Sequence, residues 1–383
     1  MRVFLFDTFT VNKMISKFST FISEKIDIDT NIFWFKNSNK YIIVNDVINN
    51  LILNKINPSY NKLNSETLKV LNKENNKSVI TEITSLLSEC NEMITPKKIK
   101  KSNLDKFKVE YISKIKFNSK IIKFEYGNKN LKNLIEPKFK HLNTKENEQA
   151  TFKIFENDKK INLFREDLFL GSWGVNEMHE FQGKVSMELT SFFHNKKEDD
   201  WTCVFHGSTL TKVDKSVMLT GDSGSGKSSL STILMANNFS LIADDFSPMS
   251  DKQIHYNFPS AISIKEGFYK EAEKIYENFK NLSEYFINEI KGNVKYLPFD
   301  RNNIMILSSR CNTVINVKFG KNLSNSFNEI NKGEALNKIL PDCWISNNEK
   351  HAKSFIKWVK FSKFYDITYN DNEEVLKIIN KII

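Results

Sequence analysis

Cysteine is scarce and scattered: four residues in 383, Cys90, Cys203, Cys311 and Cys343. No C-x-x-C pair occurs, so neither a zinc knuckle nor a thioredoxin-type redox motif is indicated. Free, distant thiols fit a reducing cytosol, the expected compartment. No apolar run approaches the roughly 20 residues that a membrane-crossing helix needs, so no membrane partner is expected. The opening stretch Met1-Arg-Val-Phe-Leu-Phe-Asp7 is too short in apolar length for a signal peptide. There is also no internal repeat and no Pro- or Ser-rich linker. The parts of the chain are therefore expected to pack together rather than hang on a tether.

What is present is ordinary soluble composition, 40% hydrophobic and 27% charged. At 383 residues the chain is long for one domain, and two are expected. The formal net charge of +10 is spread along it and peaks at Pro96-Lys-Lys-Ile-Lys-Lys101. Such a run can serve nucleic acid or acidic partners. Without interleaved aromatics it reads better as a solvated face.

Residues 1–195 carry no chemical motif. Short strands are expected at 3–6 and 42–44, and helices at 65–71 and 79–87. From Phe107 the pattern turns to strands at 122–126, 150–155 and 160–164, with Asn157-Asp158 as a hairpin turn signal. Val185, Met187 and Leu189 alternate, which predicts a strand over 185–193. The charged stretch His194-Asn-Lys-Lys-Glu-Asp-Asp200 is the expected boundary between an α+β domain, 1–195, and a second domain, 196–383. In the second domain strands are expected at 203–205, 217–220, 241–243, 262–264, 304–307, 313–318 and 364–369. Helices are expected at 229–237, 271–290, 333–339, 350–361 and 371–383. The 271–290 helix rests on Ala272, Ile275, Phe279, Leu282, Phe286 and Ile290 along one side. The alternation of strand and helix implies an α/β core with a mixed sheet.

The second domain centres on Ser216-Val-Met-Leu-Thr-Gly-Asp-Ser-Gly-Ser-Gly-Lys-Ser-Ser-Leu230. Gly221, Gly226, Lys227 and Ser228 fit the phosphate-loop pattern G-x-x-x-x-G-K-[ST], with an apolar strand before it and a helical spacing, Leu230, Ile233 and Leu234, behind it. Glycines allow positive φ and close backbone approach. Their N–H groups and the following helix then favour an anion. The whole loop, Gly221, Asp222, Ser223, Gly224, Ser225, Gly226, Lys227, Ser228 and Ser229, is the expected nucleotide-contacting stretch. Lys227 would reach the β/γ-phosphates and Ser228 would hold Mg²⁺. Asp222 is notable because a carboxylate beside phosphates repels them unless it has a partner. Asp244 and Asp245 close a short strand after the loop helix, at the end where α/β sheets bind ligands. One carboxylate would join the Mg²⁺ sphere and the other would take a hydroxyl proton. A helix cap or turn is the alternative role for such a pair. His206, after an apolar strand and before Gly207, by itself reads as a core or turn histidine.

Taken together, His206-Gly207, Gly221-Asp-Ser-Gly-Ser-Gly-Lys-Ser228 and Leu241-Ile-Ala-Asp-Asp245 resemble the HPr kinase/phosphorylase family and its relatives among phosphoenolpyruvate-carboxykinase-like P-loop proteins. The firm likeness spans residues 205–245. A looser one continues through Phe258-Pro-Ser-Ala-Ile-Ser-Ile-Lys-Glu-Gly267 to the C-terminal helix. The resemblance implies a kinase core of that fold, with ATP and Mg²⁺. It implies that His206 is an active-site histidine, that Asp245 is the base and that Asp244 assists beside it, which leaves Asp244 as the carboxylate of the pair expected at the metal. Ser229 stands where the family has Glu, and the family's E-I-R-G-x-G signature is missing. Glu266 is then the nearest candidate for a second metal carboxylate, while the only downstream arginines are Arg301 and Arg310.

The leading expectation is an ATP-dependent kinase acting on a hydroxyl of a peptide, protein or small molecule. A nucleotide-binding switch or scaffold without transfer is second, and a nucleic-acid-directed P-loop enzyme is third. Acceptor capture is the expected task of residues 1–195. The acceptor's identity and the oligomeric state, a homo-oligomer included, stay open.

Overall fold

The computed structural model describes residues 20–57, 76–95, 102–105, 107–289, 291–299 and 306–383. The strand expected at 3–6, the helix at 65–71 and the basic run at 96–101 lie outside the described residues, as do Arg301 and the first half of the strand expected at 304–307, whose second half, Ile306 and Leu307, is not in a strand. Among the described residues no helix is long and apolar enough to cross a membrane.

The organising element is a six-stranded sheet in the order Ser240–Ala243, Ser208–Lys212, Lys215–Thr220, Thr313–Phe319, Lys363–Tyr369, Ser326–Glu329. Ser208–Lys212 is antiparallel to both its neighbours. Lys215–Thr220, Thr313–Phe319 and Lys363–Tyr369 run parallel. The two reversals cancel, so Ser240–Ala243 points the same way as Lys215–Thr220. Four carboxyl ends, at Ala243, Thr220, Phe319 and Tyr369, therefore share one edge, the edge at which α/β sheets present ligand sites.

The central strands are apolar on both faces because both faces are covered. Val217, Leu219, Ile315 and Ile367 meet Leu230 and Leu234 of the helix Lys227–Ala236 and Val375 and Ile379 of the helix Asn372–Ile382. Met218, Val314 and Phe364 turn to the opposite face, under Leu336 of the helix Lys332–Ile339 and Phe355 and Trp358 of the helix Glu349–Phe361. The indole N–H of Trp358 donates to the Cys311 carbonyl at 2.8 Å, so the largest buried ring there leaves no polar atom unpaired. A five-stranded sheet, Ser308–Arg310, Ile254–Tyr256, Ser247–Ser250, Trp201–Phe205, Trp344–Ile345, lies alongside. Its strand Trp201–Phe205 passes through His206-Gly207 directly into Ser208–Lys212.

Among the described residues, the first 195 contribute two separate sheets. Phe21–Asp27, Thr30–Phe35 and Lys40–Val44 form an antiparallel sheet. Its Ile32 and Trp34 enter the core with Phe355 and Trp358. Phe33 and Phe35, on the other face, pack with residues of the helices Asp46–Ile56 and Asn76–Cys90. The second sheet runs in chain order through Tyr111–Phe117, Lys120–Tyr126, Ala150–Asn157, Lys160–Arg165 and Leu168–Gly174. Its one parallel pair is bridged by the helix Lys129–Phe139. Two of its hairpins close through two-residue turns with positive φ at both positions, Asn118-Ser119 and Asp158-Lys159. The second turn sits one residue beyond the expected Asn157-Asp158.

Two expected elements are corrected. Residues 185–193 are not a strand but the end of a helix, Met178–Phe193. Phe181, Val185, Leu189 and Phe193 recur every fourth residue and all enter the core. That longer series overrides three alternating positions. The long helix expected over 271–290 is instead a short helix, Tyr269–Ile275, a 3₁₀ turn, Phe279–Asn281, and a strand, Glu284–Asn288, paired with Gly292–Leu297. Asn278, Asn281 and Ser283 favour turns over helix interior, and Tyr285-Phe286-Ile287 then takes the extended form that aromatic and β-branched residues prefer.

Candidate functional site

The glycine-rich loop leaves Thr220 and enters the helix Lys227–Ala236 at the shared edge. Gly221, Gly224 and Gly226 have φ of 137°, 89° and 99°. At Gly221 a side chain is excluded by space as well: its Cβ would lie 2.7 Å from the Val317 carbonyl. The loop is pinned to the next strand by Phe319 N–H donating to the Ser225 carbonyl at 2.9 Å. Lys227 is buried, and its ammonium folds back on the loop, donating to the carbonyls of Gly221 at 2.5 Å and Asp222 at 3.2 Å. Burial draws its pKa down, while Asp245, Asp244, Asp342 and Asp222 pull it back up. The side chains of Asp222 and Ser223 face solvent. The Ser225 hydroxyl is buried with no hydrogen-bond partner.

The aspartate pair splits into two environments. Asp244 is 3% exposed. Its carboxylate accepts from the Ser208 hydroxyl and lies 3.4 Å from that of Ser228. Burial first, and the neighbouring Asp245 second, push its pKa up to about 7. Asp245 instead takes the left-handed conformation, φ 63°, which Asp tolerates better than most residues. This turns its carboxylate outward, half exposed, 3.6 Å from the His206 Nε2. His206 is positioned by Gly207, where a Cβ would meet the Leu219 carbonyl at 2.7 Å. Only glycine lets the chain cross so close to the loop strand. His206, Lys227, Ser228, Asp244 and Asp245 thus converge at one edge.

Glu266 does not join them by any hydrogen bond or ion pair. It is exposed at the start of a 3₁₀ turn and accepts from the Asn293 amide at 2.7 Å. Among the described residues no three His, Cys, Asp or Glu side chains gather as a metal site. Arg310 lies on the exposed edge strand Ser308–Arg310.

Sequence reasoning missed Lys138. It lies in the last turn of the helix Lys129–Phe139, and its carbonyl accepts from Ala261 N–H at 2.8 Å. The next residue, Phe139, packs edge-on against Phe258, whose N–H donates to the Ile242 carbonyl. That places Lys138 beside the end of the strand carrying Asp244. Burial lowers the pKa of its ammonium, and Asp245 and Asp244 both oppose that. Tyr296, in the strand Gly292–Leu297, also feels Asp245: burial and that carboxylate hold its hydroxyl up to about 12. Neither residue sits in a motif, and only the tertiary fold brings them here. Ser208 had a local signal, two residues past His206 and opposite Leu219 in the strand pair.

No family model matches the chain, and no curated protein matches it. Among solved structures it is similar to the Hpr(Ser) kinase/phosphatase from Coxiella burnetii, at 16% identity, over 47% of this chain and 93% of that one, with a TM-score of 0.23. A likeness that weak says nothing about chemistry here.

Proposed function

We propose that the chain is an ATP- and Mg²⁺-dependent kinase, of the HPr-kinase-like P-loop type, that moves the γ-phosphate to a hydroxyl of a peptide, protein or small molecule. The observation that carries this reading is the convergence at one sheet edge of a glycine loop with its buried lysine, a part-buried Ser228–Asp244 contact and an outward Asp245. The loop fits a phosphate chain: left-handed glycines, a helix start, a buried unpaired Ser225 hydroxyl and a lysine able to swing from its own carbonyls. Ser228 and Asp244 are the side chains that would hold Mg²⁺, an oxygen donor set of the kind this ion takes. When bound, Mg²⁺ offsets the phosphate charge.

Asp245 is the base. Its carboxylate accepts the acceptor's hydroxyl proton as that oxygen bonds to the γ-phosphorus, and the bond to the β–γ bridging oxygen breaks to leave ADP. His206, beside it, holds the carboxylate in place. Lys138 supplies a cation next to the pair and comes from residues 1–195. This supports a division of labour in which residues 196–383 hold nucleotide and residues 1–195 meet the acceptor. Deleting the first part is no test of that division, because Ile32 and Trp34 belong to the core beneath Trp358.

The test is incubation with γ-labelled ATP, Mg²⁺ and a cell extract. The wild type should label an acceptor. Asp245→Asn should bind ATP as before and lose labelling by about 10²–10⁴-fold, the usual share of general-base catalysis. Unchanged labelling by Asp245→Asn removes the base. Tight ATP binding with no labelled product from any pool favours a switch without transfer.

A further inference from the structure

The sheet order fixes more than the phosphate end of the site. Asp244 and Asp245 follow Ser240–Ala243, on one flank of the glycine loop. The opposite flank is formed by the carboxyl ends of Thr313–Phe319 and Lys363–Tyr369, which pair in register so that Phe319 lies opposite Tyr369. If the aspartates serve the terminal phosphate, the nucleoside end of the ligand leaves on that other flank. There the structure places an aromatic side chain in water: Phe319 is 40% exposed, while its neighbours Val317 and Tyr369 are buried.

The ring is held, not loose. Its own N–H bonds the loop at Ser225, and the next residue, Gly320, donates to the Tyr369 carbonyl at 3.1 Å. The ring leans on Tyr369 with centroids 5.2 Å apart and planes at 56°. Its Cβ lies 3.0 Å from where a Gly226 side chain would begin, directly beside the first turn of the loop helix. The connection beyond is closed by Asn370, which donates from its side chain to the Leu323 carbonyl and from its backbone to the Asn325 amide oxygen, each at 2.8 Å. A lone exposed Phe is common on protein surfaces. One clamped at the binding edge, next to a loop built for phosphate, has a planar apolar face to offer.

We infer that Phe319 is the platform on which the base of the nucleoside triphosphate stacks, with Tyr369 backing the ring. This rests on the reading that the loop holds a triphosphate. Every base has a π-face, so any base can stack there; the two-ring purine covers more of the Phe319 face than a one-ring pyrimidine, so ATP should be held more tightly than CTP.

Calorimetric titration of the wild type, Phe319→Ala and Phe319→Trp with ATP, CTP and inorganic tripolyphosphate, all with Mg²⁺, tests this. Phe319→Ala should weaken ATP by roughly 5- to 150-fold, the worth of one base–aromatic stack, and narrow the preference for ATP over CTP. Tripolyphosphate, which has no base, should be unaffected, and Phe319→Trp should restore ATP. Equal losses for ATP and tripolyphosphate, or no loss of ATP, overturn the platform while leaving the loop reading intact. Failure of the wild type to bind either ligand overturns the triphosphate reading and the platform with it.

Discussion

Replacing Asp244 by Asn should stabilise the free protein above pH 7 and leave it nearly unchanged below pH 4. The carboxyl is 3% exposed, and its pKa is raised from an ordinary 3.8 to about 7 by burial and by Asp245. At pH 3 both the folded and the unfolded carboxyl hold a proton, so the group makes no difference. As pH rises from 3.8 towards 7 the unfolded chain releases its proton while the folded chain keeps it, and stability falls. Above pH 7 the full cost is in place, about 4 kcal/mol at 1.36 kcal/mol per pKa unit. Asparagine cannot ionise and still accepts from Ser208. Melting curves of both proteins from pH 4 to pH 8.5, in a chelator and without nucleotide, should therefore diverge with pH. At roughly 2 °C per kcal/mol for a long chain, the variant should lead by several degrees at pH 8. Mg²⁺ with ATP should raise the wild-type melting temperature more than the variant's. A gap that does not change with pH, or a variant that melts below wild type at pH 8, refutes the reasoning.

Lys138→Met should slow phosphoryl transfer with little change in ATP affinity, since the carboxylates that act on the lysine are Asp245 and Asp244; separate kcat and Kd measurements decide, and equal loss in both contradicts the assignment. His255 stacks on Phe205, accepts or donates at Ser247 at 3.1 Å, and has its pKa held down to about 3 by burial. Its contribution to stability is present above pH 6.5 and is lost as pH falls towards 3, by up to about 5 kcal/mol. His255→Gln should flatten that acid limb in pH-dependent melting, and an unchanged limb counts against it.

How far the sequence could be read depended on whether its signals were local. The loop was legible because Gly221, Gly226, Lys227 and Ser228 stand at fixed spacing between an apolar strand and an apolar helix. Val217-Met218-Leu219 read as a strand because covered strands are apolar on both faces. The helix Asn372–Ile382 was legible too, with acids in its first turn and Asp371 accepting from Glu374 N–H at 2.8 Å. Periodicity failed where two patterns overlapped, as at Val185, Met187 and Leu189, and where Asn and Ser interrupted an apolar stripe, as at Asn278 to Ser283. It had no access to contacts across the chain. Nothing near Lys138 announces that Ala261 will bond its carbonyl, and no spacing rule places Trp34 beneath Trp358. The opposite characters of Asp244 and Asp245 also come from outside the pair: Ser208 and the sheet bury one, and the left-handed turn exposes the other.

The most direct test is a crystal structure of the full chain with Mg²⁺ and a non-hydrolysable ATP analogue. The expected result is β- and γ-phosphates in the cradle of Gly221 to Ser228, Lys227 released from its own loop carbonyls onto them, and Asp245 facing the γ-phosphate across a gap an alcohol can fill. Phosphates bound elsewhere, or Asp245 turned away from them, would contradict it.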